Sequence, residues 1–140
     1  MSDISAMYTE ASAMLKGMNR NSYAANMTVF REKHAASLNA LLNAADENGP
    51  EASAERLVES VAEQFSVKGK IPAYLQPDLN SFTVCYVMPA LDLSGHPQST
   101  ALINEICTAW GKRFRRSSIR FASYETILNS FQRTFLGIRI

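Results

Sequence analysis

The chain has 140 residues, 46% of them apolar and 19% charged, with a net charge of +1. Such a composition belongs to one globular domain with its own core and excludes an intrinsically disordered chain. No apolar run approaches the roughly 20 residues that span a bilayer, the opening MSDISAMYTEASAMLKGM has no basic n-region or apolar h-region, and two cysteines make no disulfide framework. A cytoplasmic protein with free thiols and no membrane contact is therefore expected.

In chain order, Ile4, Tyr8, Ala11, Leu15 and Met18 recur at helical spacing, and Gly17 stands where a C-cap would. A longer helix is predicted from about Ser22, with Tyr23, Met27, Phe30, His34, Leu38, Leu41 and Ala45 in one stripe, stopped by DENGP. A third helix spans about Glu51 to Ser66. Its apolar face is Ala54, Leu57, Val58, Val61 and Phe65, and Glu55, Glu59 and Glu63 make an acidic ridge beside it. KGKIPAYLQPDLN, with two prolines and a glycine, reads as a loop. SFTVCYVMPALDL, Ser81 to Leu93, is an apolar run rich in β-formers and reads as a strand covered on both faces, with Pro89 at its edge or past its paired stretch. After the turn SGHPQS, a helix from about Gln98 to Phe114 gathers Leu102, Ile103, Ile106, Cys107, Trp110 and Phe114 on one arc. SSIRFAS reads as a short strand with Ile119 and Phe121 on one face, YETILNSF as a short helix and RTFLGIRI as a final strand. The expected fold is thus α+β: a three-helix layer packed on a small sheet that contains a βαβ unit. It forms a single domain over residues 1–140, helical over residues 1–66, a loop over 67–80 and α/β over 81–140.

Charge divides the chain. Residues 1–66 carry nine acids and five bases, and residues 67–140 four acids and nine bases. The imbalance marks a nucleic-acid or acidic partner, or an attraction between the two halves or between two copies of the chain. The basic half is densest in GKRFRRSSIRF, where Lys112, Arg113, Arg115, Arg116 and Arg120 form a candidate nucleic-acid-binding set, with Phe114 and Phe121 interleaved as stacking surfaces. The structural alternative is a helix end, whose dipole favours cations, followed by a charged joint. No recognition-helix, RNP or zinc-finger pattern accompanies the stretch.

Other chemistry-bearing residues read as structural. His34 lies mid-stripe with no second ligand four residues away, so it is expected in the core with a folded-state pKa below its ordinary value. His96 precedes a proline in a turn; Ser94 and Ser99 flank it, but no G-x-S-x-G elbow exists. Cys85 and Cys107 form no C-x-x-C pair, two cysteines and two histidines show no zinc spacing, and the glycines form no phosphate loop, so neither a metal nor a cofactor is expected.

YVMPALDL, ALINEICTAWGKRF and IRFASYETILNSFQRTFLGIRI together resemble a group of small uncharacterised proteins from clostridia-type bacteria. In that group a Tyr-Val-x-Pro-Ala strand, a helix ending in Trp-x-Lys-x-Phe and a Tyr-Glu-x-Ile segment follow one another. The resemblance covers about residues 82–140. It implies a cytoplasmic bacterial domain and adds no activity and no site residue.

The function expected from the residues is that of a non-catalytic protein acting through protein–protein interaction or self-association, with a protein partner or a homo-oligomer. Nucleic-acid binding through the basic stretch is the alternative. An enzyme of unknown class comes third, because no nucleophile, base and orienter stand together.

Overall fold

The computed structural model describes residues 4–16 and 20–114, and it is helical almost throughout. In chain order the elements are α1 (Ile4–Lys16), α2 (Arg20–Lys33), α3 (Ala35–Asn48), α4 (Pro50–Phe65), α5 (Gln76–Phe82), a π-helical turn (Thr83–Val87), α6 (Met88–Leu93) and α7 (Ser99–Arg113). Extended pairing among the described residues is limited to one isolated bridge, Val67 to Lys70. The expected α+β class, and with it a sheet carrying the helices, is therefore corrected: the described fold is helix on helix. The expected strand at SSIRFAS and the C-terminal helix and strand lie outside the described residues.

The decisive difference is Ser81–Leu93. These residues run helically through α5, the π turn and α6. Every residue from Phe82 to Leu91 is buried. A helix with neighbours on all sides shows no polar face, so its sequence resembles that of a doubly covered strand. Burial outweighs the β-preference of Thr83, Val84 and Val87. Thr83 also fits a helix by donating its hydroxyl to the Leu79 carbonyl, 3.0 Å away.

Pro89 explains the π turn. In an α-helix its N–H would serve the Cys85 carbonyl, but proline has none and its ring crowds that oxygen. The backbone widens instead, with the Met88 N–H reaching back five residues to the Thr83 carbonyl. The Cys85 carbonyl accepts a hydrogen bond from the Tyr23 hydroxyl of α2 at 2.5 Å. A side chain 62 positions earlier thus supplies a donor where the proline supplies none.

The other helices surround this rod. α1 packs on α5, α2 and α3 on α6, and α7 on both α6 and α4, with α4–α7 the most extensive helix pair and α3–α4 the next. The single helix expected from Ser22 to Ala45 is kinked at His34 (φ −114°, ψ 22°) into α2 and α3. The hydrogen-bond ladder continues through the kink, from His34 N to Phe30 O and from Leu38 N to His34 O, both 3.0 Å. Met27, Phe30, His34, Leu38 and Ala45 are buried as the stripe predicts, together with Leu42. α4 buries Ala54, Leu57, Val58, Val61 and Ala62, and α7 buries the whole expected arc, Leu102 to Phe114. Aromatic contacts tie the layers together: Tyr8 meets Phe65 at 4.8 Å and Phe82 at 5.6 Å, and Tyr86 meets Phe30 at 5.2 Å.

Candidate functional site

α4 and α7 run side by side in the same direction. At one end His96, just before α7, places Nε2 3.0 Å from Asp46 Oδ2, just before α4. At the other end Arg113 Nε donates to Glu59 Oε1 at 3.1 Å. Between the helices lies a cleft of about 240 Å³, lined by Glu55, Val58, Glu59, Ala109, Lys112 and Arg113. The acidic ridge of α4 and the basic end of α7 are therefore neighbours. Some of the charge division in the sequence is resolved within one molecule. Arg113 is paired, while Glu55, Glu63 and Lys112 are exposed and hold no ion pair among the described residues.

Of the candidate nucleic-acid set, Lys112 and Arg113 occupy the last turn of α7, as a helix C-terminus favours. Arg115, Arg116 and Arg120 lie outside the described residues, as does Phe121. Phe114 offers no stacking face to a base: it is buried, 4.5 Å from Trp110 in ring centroids, with the Arg113 guanidinium 5.8 Å over its ring.

His96 does not form a Ser–His pair. Its Nδ1 accepts the backbone N–H of Gln98 at 3.0 Å, so the neutral ring carries its proton on Nε2 and donates it to Asp46. Ser94 Oγ donates to the Leu91 carbonyl at 2.5 Å and accepts the His96 N–H at 3.2 Å. Both ring nitrogens and the hydroxyl are occupied in fastening the α6–α7 turn to the end of α3. Ser99 is buried.

His34 is 6% exposed at the α2–α3 kink, with its ring centroid 5.0 Å from that of Phe30. Burial lowers its pKa, nearby Glu10 opposes the shift and Lys33 adds to it. Cys85 and Cys107 are free and buried. Burial pushes the Cys85 thiol far up and that of Cys107 up to about 11, so neither is a thiolate at neutral pH. Among the described residues no three His, Cys, Asp or Glu side chains are placed to hold a metal ion, and no helix is long and apolar enough to cross a membrane.

Of the loop expected over 67–80, residues 67–75 are loop, built from two hydrogen-bonded turns, whereas α5 already begins at Gln76. Val67 and Lys70 exchange both backbone bonds at 2.7 and 3.1 Å, with positive φ at Lys68 (52°) and Gly69 (82°), as in a type I′ turn. Leu75 N–H then closes on the Pro72 carbonyl at 3.0 Å. Ile71 and Leu75 pack on the core, while Val67 at the start of the first turn is 60% and Tyr74 in the second turn 81% exposed. The K-G-K spacing was the available signal for the first turn.

No protein-family model matches the chain, and no curated protein or solved structure matches it.

Proposed function

We propose that this chain is a non-catalytic helical protein that acts by binding other protein surfaces. The observation that carries this reading is Tyr74. An aromatic ring that is 81% exposed, on a turn fixed by a backbone hydrogen bond and anchored by Ile71 and Leu75, is pre-ordered for insertion into a partner's pocket. On the preceding turn Val67 adds exposed apolar area, and the exposed Lys68 and Lys70 add positive charge that suits an acidic surround. Among the described residues both cysteines, meanwhile, are buried thiols, and His96 holds a turn. Capture from lysate of the producing cell, after nuclease treatment, tests the reading. The wild-type chain should retain a discrete protein that Tyr74→Ala loses; equal retention by both chains contradicts it.

Nucleic-acid binding through Lys112, Arg113, Arg115, Arg116 and Arg120 is the second reading. One observation favours it. Because α4 and α7 run in parallel, Lys68 and Lys70 follow α4 at the end where Lys112 and Arg113 close α7. Against it stand the Glu59 carboxylate on Arg113 and the burial of Phe114. Retention on heparin and a steep salt slope for RNA or DNA, both abolished by Arg115→Glu with Arg116→Glu, would establish it.

A further inference from the structure

The α4–α7 face carries a charge pattern that selects one way of pairing with itself. Side by side, α4 presents Glu55 and Glu59 and α7 presents Lys112 and Arg113 across a cleft floored by Val58 and Ala109. Two copies can meet face to face about a two-fold axis lying in the contact plane. An axis across the helices would stack α4 on α4, acid on acid. An axis along the cleft carries α4 of each copy over α7 of the other. That rotation preserves height along the helices, so residues level with one another within a copy are level across the pair. Glu55 and Lys112 line the two sides of the one cleft, so the Glu55 side of one copy comes over the Lys112 side of the other, twice by symmetry. Neither group is engaged by an ion pair among the described residues of its own chain.

We infer that the α4–α7 face is a self-association surface, a parallel two-fold pair in which the Glu55 side of each copy meets the Lys112 side of the other. The inference rests on the reading of the chain as an interaction protein but uses the cleft between α4 and α7, whose lining does not include Tyr74. Its apolar floor is small, so association depends on charge and weakens with salt.

Sedimentation of the full chain at low and high salt tests it. The wild-type chain should form a dimer of twice its 15.5 kDa mass at low salt and dissociate at high salt. Glu55→Lys and Lys112→Glu each place like charges at both symmetric contacts, and each should weaken dimerisation by about tenfold or more. In a mixed pair of the two variants, the introduced lysine faces the introduced glutamate at one contact, and the native Glu55 faces the native Lys112 at the other. Mixing should therefore restore a dimer that neither variant forms alone. Both positions are exposed, and unchanged thermal melts confirm that the variants fold. A wild-type monomer at low salt, or two variants that stay monomeric when mixed, would overturn the pairing. Tyr74→Ala should leave the dimer intact. A wild-type chain that dimerises but captures no protein, or captures it equally with Tyr74→Ala, would count against the Tyr74 reading alone, and a monomeric wild-type chain whose capture Tyr74→Ala loses would count against the pairing alone.

Discussion

Replacing Tyr23 by Phe removes one hydroxyl and keeps the ring that stands 5.9 Å from Tyr86. The hydroxyl is the donor that reaches the Cys85 carbonyl from outside its own helix, at 2.5 Å. Pro89 provides no N–H to take its place. The substitution therefore strips a donor from a carbonyl within a segment buried from Phe82 to Leu91. A polar group left unsatisfied in such a setting costs about 1–3 kcal/mol, against roughly 1 kcal/mol for an ordinary exchangeable bond. Urea melts should show Tyr23→Phe less stable by an amount in that range, with an unchanged m-value. Pro89→Ala restores an N–H at position 89 and removes the cause of the π turn. In that background Tyr23→Phe should cost about 1 kcal/mol less, a coupling that a double-mutant cycle resolves. A loss below about 0.5 kcal/mol, or the same loss in both backgrounds, would refute the account of the π turn.

Trp110→Ala should cost about 3–5 kcal/mol in denaturant melts, since the ring is fully buried on Phe114 and its Nε1 donates to Asn80 Oδ1 at 2.8 Å; a loss under about 1 kcal/mol would contradict its place in the core. His34 has a lowered pKa, so the unfolded chain binds the extra proton; its contribution to stability is complete above about pH 6.5 and is lost as pH falls from there toward the folded value. His34→Leu should flatten stability between about pH 7 and 5, and an NMR titration placing the His34 pKa above about 6.5 would reverse the sign. Lys68→Asn, which tolerates a positive φ, should stabilise by a few tenths of a kcal/mol, whereas Gly69→Ala should destabilise by about 1 kcal/mol through strain alone, as nothing lies within 4 Å of an added Cβ. Thiol labelling of native protein should be slow at both cysteines and should follow the rate of opening.

Amphipathic helices were legible in the sequence. α4 and α7 each have a solvent face, so periodicity alone locates Leu57–Val58–Val61 and Ile103–Ile106–Trp110 in the core. Ser81–Leu93 lacks that contrast because Phe82–Leu91 within it has no solvent face, and its β-branched residues pointed the wrong way. Its length held the signal, since 13 residues suit a helix better than a buried strand of about five or six. The kink at His34 left no periodic trace, because the hydrogen-bond ladder passes through it. At the candidate site, the acidic ridge and the basic helix end were both legible. That they stand side by side depends on α4 and α7 running in parallel, a tertiary fact fixed by His96 on Asp46 and Arg113 on Glu59. Tyr74 was passed over because one aromatic residue in a polar loop carries no sequence sign of whether it points inward, as Ile71 and Leu75 do, or outward.

The claim that this protein works by surface contact is tested most directly by a photo-crosslinking phenylalanine analogue placed at position 74 and irradiated in the producing cell. Thr100, exposed on α7, serves as the control position. The account predicts a discrete protein adduct from position 74 that is absent from position 100 and persists after nuclease treatment. No adduct at 74, the same smear from both positions, or an adduct removed by nuclease would contradict it.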